Sequence, residues 1–378
     1  MNYIKSLKNC NDNEIGEKAK NLKIISSKTN FLIPKTLVLT IYLYNLLVSF
    51  NKSKNKESFN NIKYFNIPAE IKRQIIKKIF KIFKNKHLVV RSSTTCEDSQ
   101  FFSFAGQYST FLNIRNEKDL LKAIKICYVS LFSDNAKAYA EFKNRDIEKE
   151  QIAVLVQNVI KTKISGVIFT ADPINNNKNK MIMEYGSGFG DKIVGGYCKP
   201  SYLEFLKNEK LIKKYPDFIK KLLKISLKLE SIFNCPQDIE WGFDGKKIFI
   251  FQSRPITTLK NYPQKIKFKN FKFKKIGAAK IVCRGEAIGK LKIILNKNDY
   301  KKIKNNNIVF INRKFNIDIV KKLKNISGLI IVGGVLSHIA VIAREFNKPC
   351  LSCPVGFDAK KYHNKKIFLD AINGILYK

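Results

Sequence analysis

Of the three histidines in this 378-residue chain, one stands where its chemistry could be used. His338 lies in the run Gly333-Gly334-Val335-Leu336-Ser337-His338-Ile339-Ala340-Val341-Ile342-Ala343-Arg344-Glu345. An apolar strand ends, two glycines let the backbone turn sharply, and a Ser-His pair opens a helix. A histidine at a helix mouth faces free backbone N–H groups and the positive end of the helix dipole. Both stabilise an anion, including a phosphoryl group carried on the ring itself. Imidazole is also a good nucleophile and a good leaving group near neutral pH. His87, before a strand, and His363, in a Lys/Asn loop, lack this context. Taken alone, this position favours a satisfied structural histidine.

A second constellation is acidic. In Pro236-Gln237-Asp238-Ile239-Glu240-Trp241, strand alternation puts Asp238 and Glu240 on one face, and in Ile248–Pro255 it does the same for Gln252 and Arg254. Two carboxylates facing an amide oxygen and a guanidinium would suit Mg²⁺ bridging nucleotide phosphates, with the arginine neutralising transferred charge. The same spacing fits two exposed strand faces with a surface ion pair. A third group joins Arg91, in Val90-Arg91-Ser92-Ser93, to Gly16-Glu17-Lys18 upstream and Phe104-Ala105-Gly106-Gln107 downstream. Basic residues beside small, hydroxyl-rich turns are what a triphosphate cradle needs. Glu184-Tyr185-Gly186-Ser187-Gly188-Phe189-Gly190-Asp191 resembles a glycine-rich dinucleotide fingerprint but has neither a following helix nor a Walker lysine, so a Rossmann or P-loop reading fails.

Positioning these residues calls for strands mixed with helices. Pattern and punctuation predict strands at 36–40, 88–91, 152–157, 166–170, 181–184 and 248–252. Helices are predicted at 117–143 and 216–233, and another after Pro68 with Ile71, Ile75, Ile76, Ile79, Phe80 and Phe83 at helical spacing. Residues 51–66 read as a polar loop, and Ser92–Asp98 as the loop that the strand at Arg91 opens. Residues 276–378 read as a compact unit: a turn at Gly285 and Gly289, strands at 308–312 and 328–332, a helix from His338 to Phe346, and a final strand at 366–370. The fold class is therefore α/β (α+β). Domain boundaries are placed at 1–259, a basic-aromatic linker at 260–275, and 276–378. Sixteen extended residues span roughly 50–58 Å, enough for the last domain to move.

Composition excludes several classes. No apolar run reaches membrane-spanning length and Met1-Asn2-Tyr3-Ile4-Lys5 has no signal-peptide core, which predicts a cytoplasmic protein. The net charge is +41, yet only eight of the 71 basic residues are Arg and the lysines are spread evenly among Asn and Ile. Arginine is the usual instrument of base and phosphate recognition, so specific nucleic-acid binding is not expected. Eight scattered cysteines offer one close pair, Cys350 and Cys353, read as structural residues on a strand.

In this order, VRSSTTCED (90–98) with SFAGQY (103–108), SGVIFTADP (165–173), PQDIEW (236–241) with FQSRPIT (251–257), and GGVLSHIAVIARE (333–345) resemble the phosphoenolpyruvate synthase and pyruvate phosphate dikinase family, which includes rifampicin phosphotransferases. The resemblance implies an ATP-grasp-type nucleotide-binding domain followed by a small swivelling β/β/α phosphohistidine domain. By motif, Lys18 and Arg91 would contact ATP phosphates, Gln157 and Val159 would lie at the adenine hinge, and Glu184 near the ribose. Glu240 and Gln252 would hold Mg²⁺, Asp238 would support them, Arg254 would bind phosphate, and His338 would carry the phosphoryl group. The implied chemistry transfers the terminal part of ATP to histidine, releases AMP, and passes the retained group to an acceptor. This sequence departs from the family pattern at Gly16-Glu17-Lys18 (usually Gly-Gly-Lys), at Asp191 (usually Glu) and at Cys283-Arg284-Gly285 (usually Ser-Pro-Gly). It shows no acceptor domain, so the expected acceptor site, for pyruvate first, lies on another chain. A kinase for another metabolite, sugar or antibiotic, or a degenerate ATP-binding regulator, are the alternatives.

Overall fold

A computed structural model describes residues 3–54, 65–84, 87–98, 110–188, 200–207, 215–259, 274–295, 297–311, 319–353 and 356–378. The segment 103–108, Phe189 to Asp191 and nearly all of the expected linker fall outside these residues. The chain divides into two compact units, Met1–Lys161 with Lys246–Pro255, and Thr162–Gly245 with Ile256–Lys378.

The first unit is built on strands β1 (Ile4–Ser6), β2 (Thr36–Leu39), β3 (Leu88–Thr94), β4 (Thr110–Ile114) and β5 (Ile152–Asn158). They pair antiparallel in the order β1-β2-β5-β3-β4. The centre falls to β5 because Ile-Ala-Val-Leu-Val is apolar on both faces, and its first six residues are buried. The unit's helices are α1 (Glu17–Lys28), α2 (Ile41–Lys54), α3 (Ala69–Phe83), α4 (Glu117–Ser130) and α5 (Asp134–Phe142), of which α1, α2 and α4 pack on β3 and β5. In α3 the buried stripe is Ile71, Ile75, Ile79 and Phe83, one residue per turn, while Ile76 and Phe80 are half-buried at its border. The strand Ile248–Pro255, β10 in chain order, lies against α1, and the amide of Ile250 donates to the carbonyl of Leu32 at 2.8 Å.

Three sequence expectations change here. The helix expected over 117–143 is two helices, because the Ser133 hydroxyl accepts from the Ala136 amide and caps a new start. Residues 51–54, expected as loop, complete α2. The loop expected from Ser92 begins later, since β3 stays paired with β5 through Thr94. Ser92 and Ser93 are buried strand residues, not a flexible cradle.

In the second unit, β6 (Ile164–Phe169), β7 (Lys180–Ser187), β8 (Ser201–Leu206) and β9 (Gln237–Phe243) pair antiparallel in the order β9-β6-β7-β8. Helix α6 (Asp217–Phe233) packs on β9 through an amphipathic face that buries Ile219, Leu222, Leu223 and Leu229. A larger sheet then carries β11 (Lys275–Ala278), β12 (Lys280–Cys283), β13 (Glu286–Ile294), β14 (Ile308–Ile311), β15 (Gly328–Ile331), β16 (Cys350–Ser352), β17 (Lys366–Asp370) and β18 (Ile375–Tyr377). Its order is β11-β18-β17-β13-β14-β15-β16-β12, parallel from β13 to β16 and antiparallel elsewhere. Short helices α7 (Val320–Leu323) and α8 (His338–Glu345) connect the parallel strands. The core is apolar, with Leu291, Ile308, Leu351, Leu369 and Leu376 fully buried. Gly289 lies inside β13 rather than in the expected turn, and a Cβ there would meet the Asn306 carbonyl oxygen at 2.2 Å. Cys283 and Cys350 sit opposite each other where β12 pairs β16, and both are buried.

Candidate active site

In the first unit, four polar side chains meet on β3, β10 and the turn after β3. Arg91 pairs with Leu155 of β5, which fixes its backbone and leaves the residue only 9% exposed. Its Nη1 donates to the Phe251 carbonyl at 3.0 Å and its Nη2 to Gln252 Oε1 at 2.5 Å. Gln252 Nε2 donates to Asp98 Oδ2 at 2.7 Å, and Arg254 Nη1 reaches Asp98 Oδ1 at 3.4 Å. Gln252 and Arg254, two apart on β10, share a face as the alternation requires. The sequence named Arg91, Gln252 and Arg254 but missed Asp98, the acid that joins two of them. Asp98 takes a left-handed turn with φ of 51°.

Lys18 sits in the first turn of α1 and is buried. Its ammonium donates to the Ser92 carbonyl at 3.2 Å and to Glu97 Oε2 at 3.1 Å. Glu97 also accepts from the Thr94 amide at 2.8 Å. Burial pushes the Glu97 carboxyl up, and the Lys18 charge opposes that without cancelling it. Ser93 Oγ accepts from the Ala19 amide at 3.1 Å, so it supplies a helix cap that Gly16 has no side chain to make. Gln157 is buried on β5 opposite Thr36, whose hydroxyl accepts from its Nε2 at 2.9 Å. The Val159 amide donates to the His87 carbonyl at 2.8 Å.

In the second unit, Asp238 and Glu240 lie two apart on β9, opposite Phe169 and Val167 of β6. Asp238 is 5% exposed and Glu240 is half-buried. Among the described residues, no group of three or more His, Cys, Asp or Glu side chains could hold a metal alone. Taken each within its own unit, the Glu240 carboxylate and the Gln252 amide oxygen are donor types that magnesium accepts, since it takes one or two protein oxygens and completes its shell with water and phosphate.

Glu184, on β7, is buried, and burial raises its pKa. Its two oxygens accept the backbone N–H groups of Val335 at 2.7 Å and Leu336 at 2.9 Å, which oppose that rise. A Cβ at Gly334 would lie 2.2 Å from Glu184 Oε2, so only glycine lets this turn approach the carboxylate. Ser337 follows, its hydroxyl turned back to the Gly334 carbonyl at 2.9 Å, and His338 is the half-buried first residue of α8. Arg344, at the other end of α8, donates to the carbonyls of Val335 at 2.8 Å and Val282 at 3.3 Å, and lies 5.8 Å from the Phe169 ring centroid. In the Cys283-Arg284-Gly285 turn, Arg284 donates to Asn175 Oδ1 at 2.6 Å. Lys280 lies 4.6 Å from the Tyr202 ring centroid.

Residues 12–216 and 208–275 match the family model of the pyruvate phosphate dikinase AMP/ATP-binding domain. The chain belongs to this pyruvate phosphate dikinase family. Residues 303–374 also match the mobile domain of phosphoenolpyruvate-utilising enzymes, so α8 and His338 fall inside that match. The phosphoenolpyruvate synthase of Pyrococcus furiosus is 28% identical over 84% of this chain and 45% of its own length. A probable phosphoenolpyruvate synthase of Methanothermobacter thermautotrophicus is 30% identical over 77% of this chain and 47% of its own. The rifampicin phosphotransferase of Bacillus cereus is 28% identical, over 66% of this chain and 35% of that enzyme. The chain thus spans under half the length of these relatives. No helix among its described residues is long and apolar enough to cross a membrane.

Proposed function

We propose that the chain is an ATP-dependent phosphotransferase of the dikinase type, with His338 as the phosphoryl carrier. The supporting observation is the position of His338: half-buried, it opens α8 two residues beyond the last amide held by Glu184. A ring nitrogen of His338 attacks the β-phosphorus of ATP, the bond from that phosphorus to the bridging oxygen of the α-phosphate breaks, and AMP leaves with the electron pair. Water then cleaves the histidine-bound pyrophosphoryl group, releasing phosphate and leaving phosphohistidine. The enol oxygen of pyruvate is the first acceptor to test, giving phosphoenolpyruvate and returning free histidine. A rifamycin hydroxyl is the second, favoured by the match to rifampicin phosphotransferase.

Lys18, Arg91 and Arg254 would neutralise the phosphates, Gln157 and Val159 would flank the adenine, and Glu184 would meet the ribose. Glu240 and Gln252, steadied by Asp238, would hold magnesium, which when bound withdraws charge from the phosphates. For Lys18 to serve, it must exchange its bond to Glu97 for one to phosphate. The swinging phosphohistidine domain, bounded at 276–378, belongs to the same proposal.

The test is incubation with Mg²⁺ and ATP labelled at the β or the γ position. The expected result is acid-labile, base-stable β-label on the wild-type chain, absent from His338→Ala, with AMP as product. ADP as the sole nucleotide product, or label persisting in His338→Ala, rejects the mechanism.

A further inference from the structure

We infer that Asp98 is a positioning residue that fixes which end of the Gln252 amide is available to a metal-bound nucleotide. This rests on the nucleotide-binding reading above and deepens it. A glutamine amide can sit in either of two orientations that differ by a half-turn, and its neighbours decide between them. Gln252 is 5% exposed and lies between two unlike groups. The Arg91 guanidinium on one side can only donate, and the Asp98 carboxylate on the other can only accept. One orientation satisfies both. The reverse sets the amide N–H₂ against guanidinium N–H groups and its oxygen against a carboxylate, two buried mismatches.

The orientation matters because only the oxygen of an amide can bind a cation. With Nε2 committed to Asp98, Oε1 is directed to the Arg91 side and keeps a second lone pair. Asp98 is itself held in place. Asn21 Nδ2 donates to the Asp98 carbonyl at 3.4 Å and to the Ser253 carbonyl at 3.0 Å, tying the turn to β10 beside Gln252. The left-handed backbone at Asp98 lets consecutive acids face different partners, Glu97 toward Lys18 and Asp98 toward Gln252 and Arg254.

The experiment compares wild type, Asp98→Asn and the exchanged double variant Asp98→Asn/Gln252→Glu. ATP affinity is measured by calorimetry in EDTA and in excess Mg²⁺, with melting temperatures alongside. An asparagine at position 98 can satisfy either orientation of Gln252, so Asp98→Asn should lose about tenfold of the Mg²⁺-dependent gain in affinity, the scale of one hydrogen bond. Its metal-free affinity should stay within about threefold, since Arg254 persists and a negative charge is gone. The double variant should restore the gain, because the introduced asparagine amide can donate to a carboxylate whose two oxygens are equivalent. Should Asp98→Asn not fold, Asn21→Ser loosens the same turn and should cost about threefold. An unchanged Mg²⁺ gain, a parallel fall of both affinities with melting temperature, or no rescue in the double variant overturns the inference. Failure of the wild type to bind ATP at all overturns it together with the function. Mg²⁺-dependent ATP binding without label on His338 rejects phosphotransfer alone, and the Asp98 comparison still decides.

Discussion

Replacing Glu184 with glutamine tests whether its carboxylate holds the turn that precedes His338. Both oxygens are occupied in the wild type, by the Val335 and Leu336 amides at 2.7 and 2.9 Å. A glutamine side chain of the same shape offers one oxygen and sets an N–H₂ group against the other amide. One charge-assisted bond is lost and the other becomes neutral; bonds to charged groups contribute about 1.5–3 kcal/mol each. At about 1.4 kcal/mol per factor of ten, the opening equilibrium of the turn should rise by roughly ten- to a hundredfold. Native-state hydrogen exchange of the peptide covering Val335 and Leu336 measures this directly, with amides of the β13–β17 ladder as the internal control. Faster exchange confined to the turn is expected. Gly334→Ala attacks the same contact from the other side, because its new Cβ would lie 2.2 Å from Glu184 Oε2. The two substitutions share one interaction, so their combined effect should be less than the sum. Unchanged protection of Val335 and Leu336 in Glu184→Gln would refute the reasoning.

Ser93→Ala removes the acceptor for the Ala19 amide and should cost about 1 kcal/mol, as loss of a helix cap does, read as a lower urea midpoint. Ile75→Ala empties a fully buried position on α3 and should cost about 2–5 kcal/mol in the same assay. Glu97 has a folded pKa above its ordinary 4.5, so the native state binds the extra proton. Its contribution is therefore greatest below about 4.5 and declines as pH rises through the raised value. The melting-temperature advantage of wild type over Glu97→Gln should shrink from about pH 4.5 upward, and an advantage that grows would contradict the assigned direction. Retention on a DNA column should fall steeply with salt, as diffuse lysine charge dictates, and should be unaffected by ATP.

Several elements were legible because one physical signal dominated. The run Ile152–Val156 is apolar on both faces and could only be a central strand. The repeat in α3 and the Pro68 start likewise left little choice. Where signals competed, burial won: Ser92, Ser93 and Thr94 have turn chemistry, yet pairing with β5 keeps them in β3. The start at Ser133-Asp134 was readable as a cap within the expected long helix, and was missed because apolar periodicity ran across it. The role of Asp98 depends on β10, which lies far along the chain, and on a left-handed turn; that of Glu97 depends on Lys18, which is also distant from it in sequence. Local sequence shows that two acids follow a Ser/Thr run, but no spacing rule says what they hold. The Glu184 contact was hidden for the same reason, since glycine at 334 signals freedom of the backbone but not the carboxylate that requires it.

The facing thiols of β12 and β16 give this part of the molecule a built-in chemical clock. Burial pushes Cys283 up to about 11 and drives Cys350 further in the same direction, so neither offers a thiolate at neutral pH. An alkylating reagent can reach them only when their surroundings open. The rate at which these two positions take up a mass label therefore counts local openings around β12 and β16, while half-buried Cys235 provides the fast reference within the same unit.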